Sequence, residues 1–280
     1  MTFDSFSQYY FRKDVIDHYA SDEIIRPCER RVFELCREDI QGKRVLELGV
    51  GGGRLSGILG DMAAEFVGID YVPAMVEICR NRFPHLAFLE GDARDLSRFD
   101  DGSFDYIIFG FNGIDTLGHE DRLIIMGEIH RVLRPGGIFC FSSQNRDYGK
   151  RVRVLDFRRG MGMNFFLVNA RNVLSFLFAL PHEVETDHYR IMSAPAGGLK
   201  NLGICTYCIS KNDQITQLAE LGFECLEAIC HDGKLLPYEA IDRDSELIYY
   251  RAQKPQIAIG SAAGQLTIKR GADLKRETSH

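Results

Sequence analysis

Between Lys43 and Ser143 short apolar, β-branched runs alternate with stretches whose apolar residues recur at helical spacing. Arg44–Gly49 reads as a strand that ends in glycine and enters a Gly-rich turn, after which Arg54–Met62 is helical. Glu65–Ile69 is the next strand. Pro73–Arg82 is the next helix, with proline in its first turn, where the missing N–H is tolerated. Ala87–Glu90 is a third strand, and Phe104–Gly110 a fourth, entered through the turn Asp100-Asp101-Gly102-Ser103. Leu123, Ile124, Ile129 and Leu133 can share a helical face over Asp121–Leu133, which stops at Arg134-Pro135-Gly136-Gly137. A fifth strand follows, Ile138–Ser142. Strands and helices in strict alternation predict an α/β fold: a parallel sheet covered by helices on both faces.

The flanks differ. Residues 1–42 read as a polar and aromatic helical segment, with Tyr9, Tyr10, Phe11 and Tyr19 among many charges. Residues 146–204 break the alternation with a basic stretch (Lys150 to Arg159), an apolar helix near 164–180, and Ala194-Pro-Ala-Gly-Gly198. The alternation resumes with helix Asp213–Leu221 and strands Phe223–Cys230 and Glu246–Ala252. The expected organisation is a helical lid (1–42), a core (43–145 and 205–254), a substrate cap inserted after the fifth strand (146–204) and a loose polar tail (255–280).

Composition narrows the classes. With 280 residues and 45% hydrophobic content, the chain can bury a full core. A net charge of −6 argues against nonspecific nucleic-acid binding, which needs clustered cations. The N-terminus lacks the apolar core of a secretory signal, and its eight scattered cysteines then fit reduced thiols in the cytoplasm. No run suits a membrane span; helix 164–180 fits a lid or a homodimer surface better than an anchor. Cys205-Thr-Tyr-Cys208 has the spacing of metal pairs, but on one strand its two thiols point to opposite faces, so the cysteines are read as core and no metal is expected.

Chemistry concentrates after the first strand, in Val45-Leu-Glu47-Leu-Gly49-Val-Gly51-Gly-Gly53-Arg54. Glycines at a strand tip let a ligand approach backbone that a Cβ would block. The dinucleotide fingerprint is not met, because with Gly49 and Gly51 as its first two glycines the third position is Arg54. Asp70 ends the second strand, where a carboxylate can accept both hydroxyls of a ribose. Asp92 follows the third strand, within reach of an adenine amino group. Each Asp alone is an ordinary cap or turn residue. Three such features on successive strand tips mark the edge where open α/β sheets bind ligands.

In order, Glu47-Leu-Gly-Val-Gly-Gly-Gly53, Asp70, Gly91-Asp92-Ala93, Phe104-Asp105-Tyr-Ile-Ile108 and Leu133-Arg-Pro-Gly-Gly137 resemble the motifs of class I S-adenosylmethionine-dependent methyltransferases. The resemblance covers 43–145 well and 213–252 more loosely. It implies a Rossmann-like, seven-stranded, mostly parallel sheet and S-adenosyl-L-methionine as cofactor. Gly49 and Gly51 would lie against the methionine portion, with Glu47 near its ammonium group. Asp70 would hold the ribose, Tyr71 would pack beside the adenine, and Asp92 and Ala93 would read the adenine edge. Phe109, Phe111 and Asn112 would line the methyl-donor side. Arg54 departs from the small residues common in that turn, leaving a cofactor-carboxylate contact and a solvated side chain both open.

Methyl transfer is an in-line displacement on a sulfonium, which needs alignment and exclusion of water. A proton on the acceptor calls for a base, and the loop after the fourth strand offers Asp115 and His119 as catalytic candidates, against a helix cap and a solvated imidazole. Enzymes that methylate exocyclic amines of DNA bases carry an Asn/Asp-Pro-Pro-aromatic tetrad there; this chain has Phe109-Gly-Phe-Asn112. The expected reaction is therefore methylation of an O or N atom of a small metabolite, such as a sugar or natural-product intermediate. The competing classes are a non-catalytic adenosylmethionine-binding regulator and an NAD-dependent oxidoreductase. Asp70→Ala should weaken S-adenosylhomocysteine binding at least tenfold in calorimetry, from loss of charge-assisted hydrogen bonds worth about 1.5–3 kcal/mol. Unchanged affinity would show the ribose assignment to be wrong.

Overall fold

A computed structural model of the chain describes residues 9–149, 184–193 and 205–256. The basic run 150–159, the apolar helix expected near 164–180, His182 and the tail from 257 lie outside the described residues. The strands are β1 (Arg44–Leu48), β2 (Glu65–Asp70), β3 (Ala87–Glu90), β4 (Phe104–Phe109), β5 (Leu133–Asn145), β6 (Val184–Glu185), β7 (Tyr189–Ser193), β8 (Cys205–Ile209), β9 (Glu224–Cys230) and β10 (Leu247–Gln253). The helices are α1 (Lys13–Ser21), α2 (Pro27–Leu35), α3 (Arg37–Ile40), α4 (Ser56–Met62), α5 (Pro73–Arg82), α6 (His119–Val132) and α7 (Lys211–Glu220), with a 3-10 turn at Gly113–Thr116.

Seven strands form the expected frame, β3-β2-β1-β4-β5 in parallel, then β10 antiparallel to β5 and β9 antiparallel to β10. Alternation along the strands explains the two buried faces. Leu46, Leu48, Ile107 and Phe109 pack with Ile125, Met126 and Ile129 of α6 and Leu218 of α7. Val45, Tyr106 and Ile108 face the other way, against Val32 of α2, Ile40 of α3, Leu59 of α4 and Val76 of α5.

Two expectations need correction. The Arg134-Pro-Gly-Gly137 segment is not a stop before the fifth strand but part of it. Gly136, at φ +78°, gives its N–H to Lys254 carbonyl at 2.7 Å, which ties this irregular start of β5 to the end of β10. The span 146–204 also does not stand wholly outside the sheet. β5 runs past the expected Ser142 to Asn145, and its last residues, Gln144 and Asn145, pair with Cys208 and Ile209. Exposed ladder groups there recruit β8, and β7 and β6 follow as antiparallel neighbours. This added hairpin sits above the tip of β4.

What fixes that tip is a buried ion pair. Arg122 and Asp115 are both fully buried; the guanidinium also bonds Ser143 Oγ (3.2 Å), Gln214 Oε1 and Gln217 Oε1 (3.3 Å), and lies over the Tyr207 ring. Asp115 in turn accepts from Ser143 Oγ (2.8 Å) and the Gln144 N–H (2.6 Å). Burial raises the Asp115 carboxyl to about 6 against the pull of Arg122. Asp115, expected as a catalytic candidate, is therefore a brace between the 3-10 turn, α6 and β5. Its removal leaves Arg122 buried without its counter-charge, so Asp115→Ala should cost about 3–5 kcal/mol. Urea unfolding measures this, and a loss under 1 kcal/mol would refute the bracing role.

Candidate active site

A cleft enclosing about 1290 Å³ of empty space, mouth included, opens where β1, β2, β3 and β4 end. It is lined by Glu47, Gly49, Gly51, Asp70, Tyr71, Asp92, Ala93, Phe109 and Phe111 of the expected cofactor set, which the fold brings together from four strand tips. Asn112 is not among the lining residues. It sits in the left-handed region (φ +59°), with its N–H on Ser142 Oγ at 2.7 Å and Oδ1 buried without a hydrogen-bond partner.

Gly49 occupies φ +63°, and a Cβ there would stand 2.7 Å from the Phe109 ring. Gly52 has a different reason to lack a side chain: its Cβ would meet Tyr19 carbonyl at 2.3 Å, because α1 lies directly on the loop. Arg82 locks that contact, donating to Gly52 carbonyl (2.7 Å) and Ala20 carbonyl (2.8 Å). Sequence reasoning gave cofactor roles to Gly49 and Gly51 alone; the glycine at 52 makes space for the protein's own helix α1. Tyr10 and Tyr19 thereby reach the cleft, and Tyr10 packs edge-on against Tyr71, centroids 6.3 Å apart.

The acidic groups differ in state. Glu47 is 3% exposed and accepts from Ser56 Oγ at 2.6 Å; burial pushes its carboxyl up to about 8. Asp70 is raised by burial, against the N–H groups of Val72 and Gly51, each at 2.9 Å. Asp92 is partly buried, yet the Arg94 guanidinium (2.6 Å) and N–H (2.8 Å) hold it below the usual range. Asp22 lines the cleft too, 2.7 Å from Arg26 Nη2, and had no sequence signal.

Comparison with known proteins gives a likeness for part of the chain. The profile described as "Methyltransferase domain" matches residues 45–137. Residues 45–137 are thus similar to a methyltransferase domain. The chain is 36% identical over 138 residues to a demethylmenaquinone methyltransferase of Thermus thermophilus, covering 47% of this chain and 60% of that one. It is 39% identical over 111 residues to a probable phthiotriol/phenolphthiotriol dimycocerosates methyltransferase of Mycobacterium ulcerans, covering 37% and 40%. The match thus spans only part of these relatives' length. Among solved structures, the fold is similar to the 1,6-didemethyltoxoflavin-N1-methyltransferase of Burkholderia thailandensis, with TM-score 0.57, 12% identity, and 91% and 92% of the two chains covered.

S-adenosyl-L-methionine, the cofactor of the methyltransferases this chain resembles, is a cation at its sulfonium and ammonium, and the cleft suits such a group. A buried carboxyl with a raised pKa, a glycine tip without Cβ, and a carboxylate and a ring at the end of β2 are what that ligand would need. Arg54 is not merely solvated. Its guanidinium lines the cleft but forks onto both oxygens of Glu29, with Nη2–Oε1 at 2.8 Å. No local motif marks this, since Glu29 comes from α2.

His119, the other catalytic candidate, is not brought to the cleft lining. It lies at the start of α6 outside the cleft lining, stacked on Tyr189 (4.3 Å) with Nδ1 3.0 Å from Tyr207 Oη, and burial lowers its pKa. His188 is exposed beside Asp213.

Glu47 carries a pH signature. A carboxyl whose folded pKa lies above its unfolded value of about 4.3 stabilises the fold below that value, and the benefit is lost as pH rises to about 8. Glu47→Gln should therefore raise the melting temperature of the ligand-free protein at pH 8.5, by about 3 °C or more, and much less at pH 5. Equal gains at both pH values would show that Glu47 does not titrate as its burial demands.

Proposed function

We propose that the protein transfers a methyl group from S-adenosylmethionine to a small, apolar, ring-bearing acceptor. The observation that carries this is the cleft itself. Cofactor-type groups line the tips of β1 to β3, with Tyr10 and Tyr19 against them, while Phe109, Phe111 and Leu117 make an aromatic and aliphatic wall on the β4 side. Aromatic faces favour flat apolar rings over a hydroxyl-rich sugar. This sharpens the expected metabolite acceptor away from carbohydrate. The names of the Thermus and Mycobacterium relatives, which concern a quinone and a phenolic lipid, lean the same way.

In this reading Glu47 faces the ammonium and sheds its proton on binding, Asp70 takes the ribose hydroxyls, Tyr71 packs on adenine, and Asp92 with Ala93 meets its edge. Each carboxylate of the cleft already accepts bonds from protein donors: Glu47 from Ser56, Asp70 from backbone, Asp92 from Arg94 and Asp22 from Arg26. That arrangement supports transfer by alignment and dehydration, onto an acceptor that enters as a ready nucleophile. The cofactor supplies the electrophilic methyl group.

Calorimetry with S-adenosylhomocysteine and with NAD separates this from a nicotinamide enzyme, and only the former should bind. Labelled S-adenosylmethionine offered with a demethylated naphthoquinol, a phenolic lipid and a sugar should label the first or second at least tenfold above the sugar. Sugar labelling would overturn the acceptor class, and binding without transfer to any cellular extract would indicate a regulator.

A further inference from the structure

Phe111 holds a conformation that an aromatic residue rarely adopts, φ +49°, at the wall of the cleft. Such strain persists only where surroundings impose it. Here its N–H donates to Tyr249 Oη (3.2 Å), and its ring lies beneath the Arg26 guanidinium at 4.0 Å and near that of Arg54 at 5.1 Å. Tyr249, fully buried on β10, donates its own proton to Glu29 Oε1 at 2.9 Å. Glu29 is the carboxylate that Arg54 of the glycine loop forks onto, and it also takes the Arg26 N–H at 2.8 Å.

We infer that Glu29 and Tyr249 are positioning residues that hold Phe111, a wall of the methyl-transfer chamber, in register with the cofactor loop. The inference rests on the methyltransferase reading for its purpose, though not for its geometry. Tyr249 Oη is both acceptor for the strained N–H and donor to the carboxylate, so removal of one oxygen uncouples the two sides without emptying the core. Arg54 makes the link bidentate, which fixes orientation as well as distance. A loop pinned this way feels whatever moves the glycine turn.

The test is hydrogen exchange on the full chain, wild type against Tyr249→Phe, followed over 110–117. In the ligand-free proteins, protection of this loop should fall at least tenfold in the variant while β5 and β9 stay within twofold. Unchanged protection, or an equal loss across the neighbouring strands as a merely structural role would give, overturns the proposal. S-adenosylhomocysteine should further protect 110–117 in the wild type and not in Tyr249→Phe, with calorimetric affinities within about threefold. Equal ligand-induced protection in both also overturns it. Glu29→Gln, which keeps an acceptor oxygen, should retain loop protection that Glu29→Ala loses. Failure of the wild type to bind S-adenosylhomocysteine would count against the methyltransferase reading alone, because the ligand-free comparison needs no cofactor.

Discussion

A carboxylate with 1% exposure is costly to keep charged unless donors replace its water. Glu29 accepts four hydrogen bonds, two from Arg54, one from the Arg26 N–H and one from Tyr249. Those donors come from the glycine loop, the N-terminal segment and the inner strand β10. The carboxylate therefore converts its own desolvation penalty into a requirement that three separate pieces of chain meet at one point. The cleft lies among them, and its shape is set by that requirement more than by any local loop preference.

A second buried pair does the same work one layer away. Arg122 and Asp115 fasten the 3-10 turn after β4 to β5 and α7, with Tyr207 of β8 packed on the guanidinium. Between the two charge centres runs the segment Gly110–Leu117, tied to Tyr249 at Phe111 and to Ser142 at Asn112. Two consecutive non-glycine residues with positive φ are affordable there because both ends are over-determined. The β4 side of the cleft is thus braced by two buried charge centres, while Gly49 leaves the tip of β1 without a side chain.

Much of this was legible in the sequence where it depends on neighbours along the chain. Strand tips, glycine turns and the acidic residues after β2 and β3 follow from period and punctuation, and the helix Pro73–Arg82 stands as read. What was not legible depends on distant partners. Arg54 looked like a solvated or ligand-facing cation because nothing near it announces Glu29, 25 residues away. Asp115 and His119 looked catalytic because polar residues after β4 commonly are, yet Arg122 sits one helical turn or two beyond and captures the carboxylate. The extension of β5 to Asn145 escaped because Gln144 and Asn145 are poor strand formers held there by pairing on both sides, with Cys208 and Leu247 at Gln144.

The state of Glu47 joins these constraints to chemistry. Its carboxyl feels Arg54, which pulls it down, but that guanidinium is hydrogen-bonded to Glu29 and burial prevails. A site built this way is unfavourable empty at neutral pH and improves when a cationic ligand arrives, since the incoming charge replaces the one withheld. Had Arg54 turned to Glu47 instead, the acidic group would be satisfied and the cleft indifferent to a sulfonium or ammonium. The same guanidinium thus braces the loop through Glu29 and, by its commitment there, leaves Glu47 without a hydrogen-bonded cation.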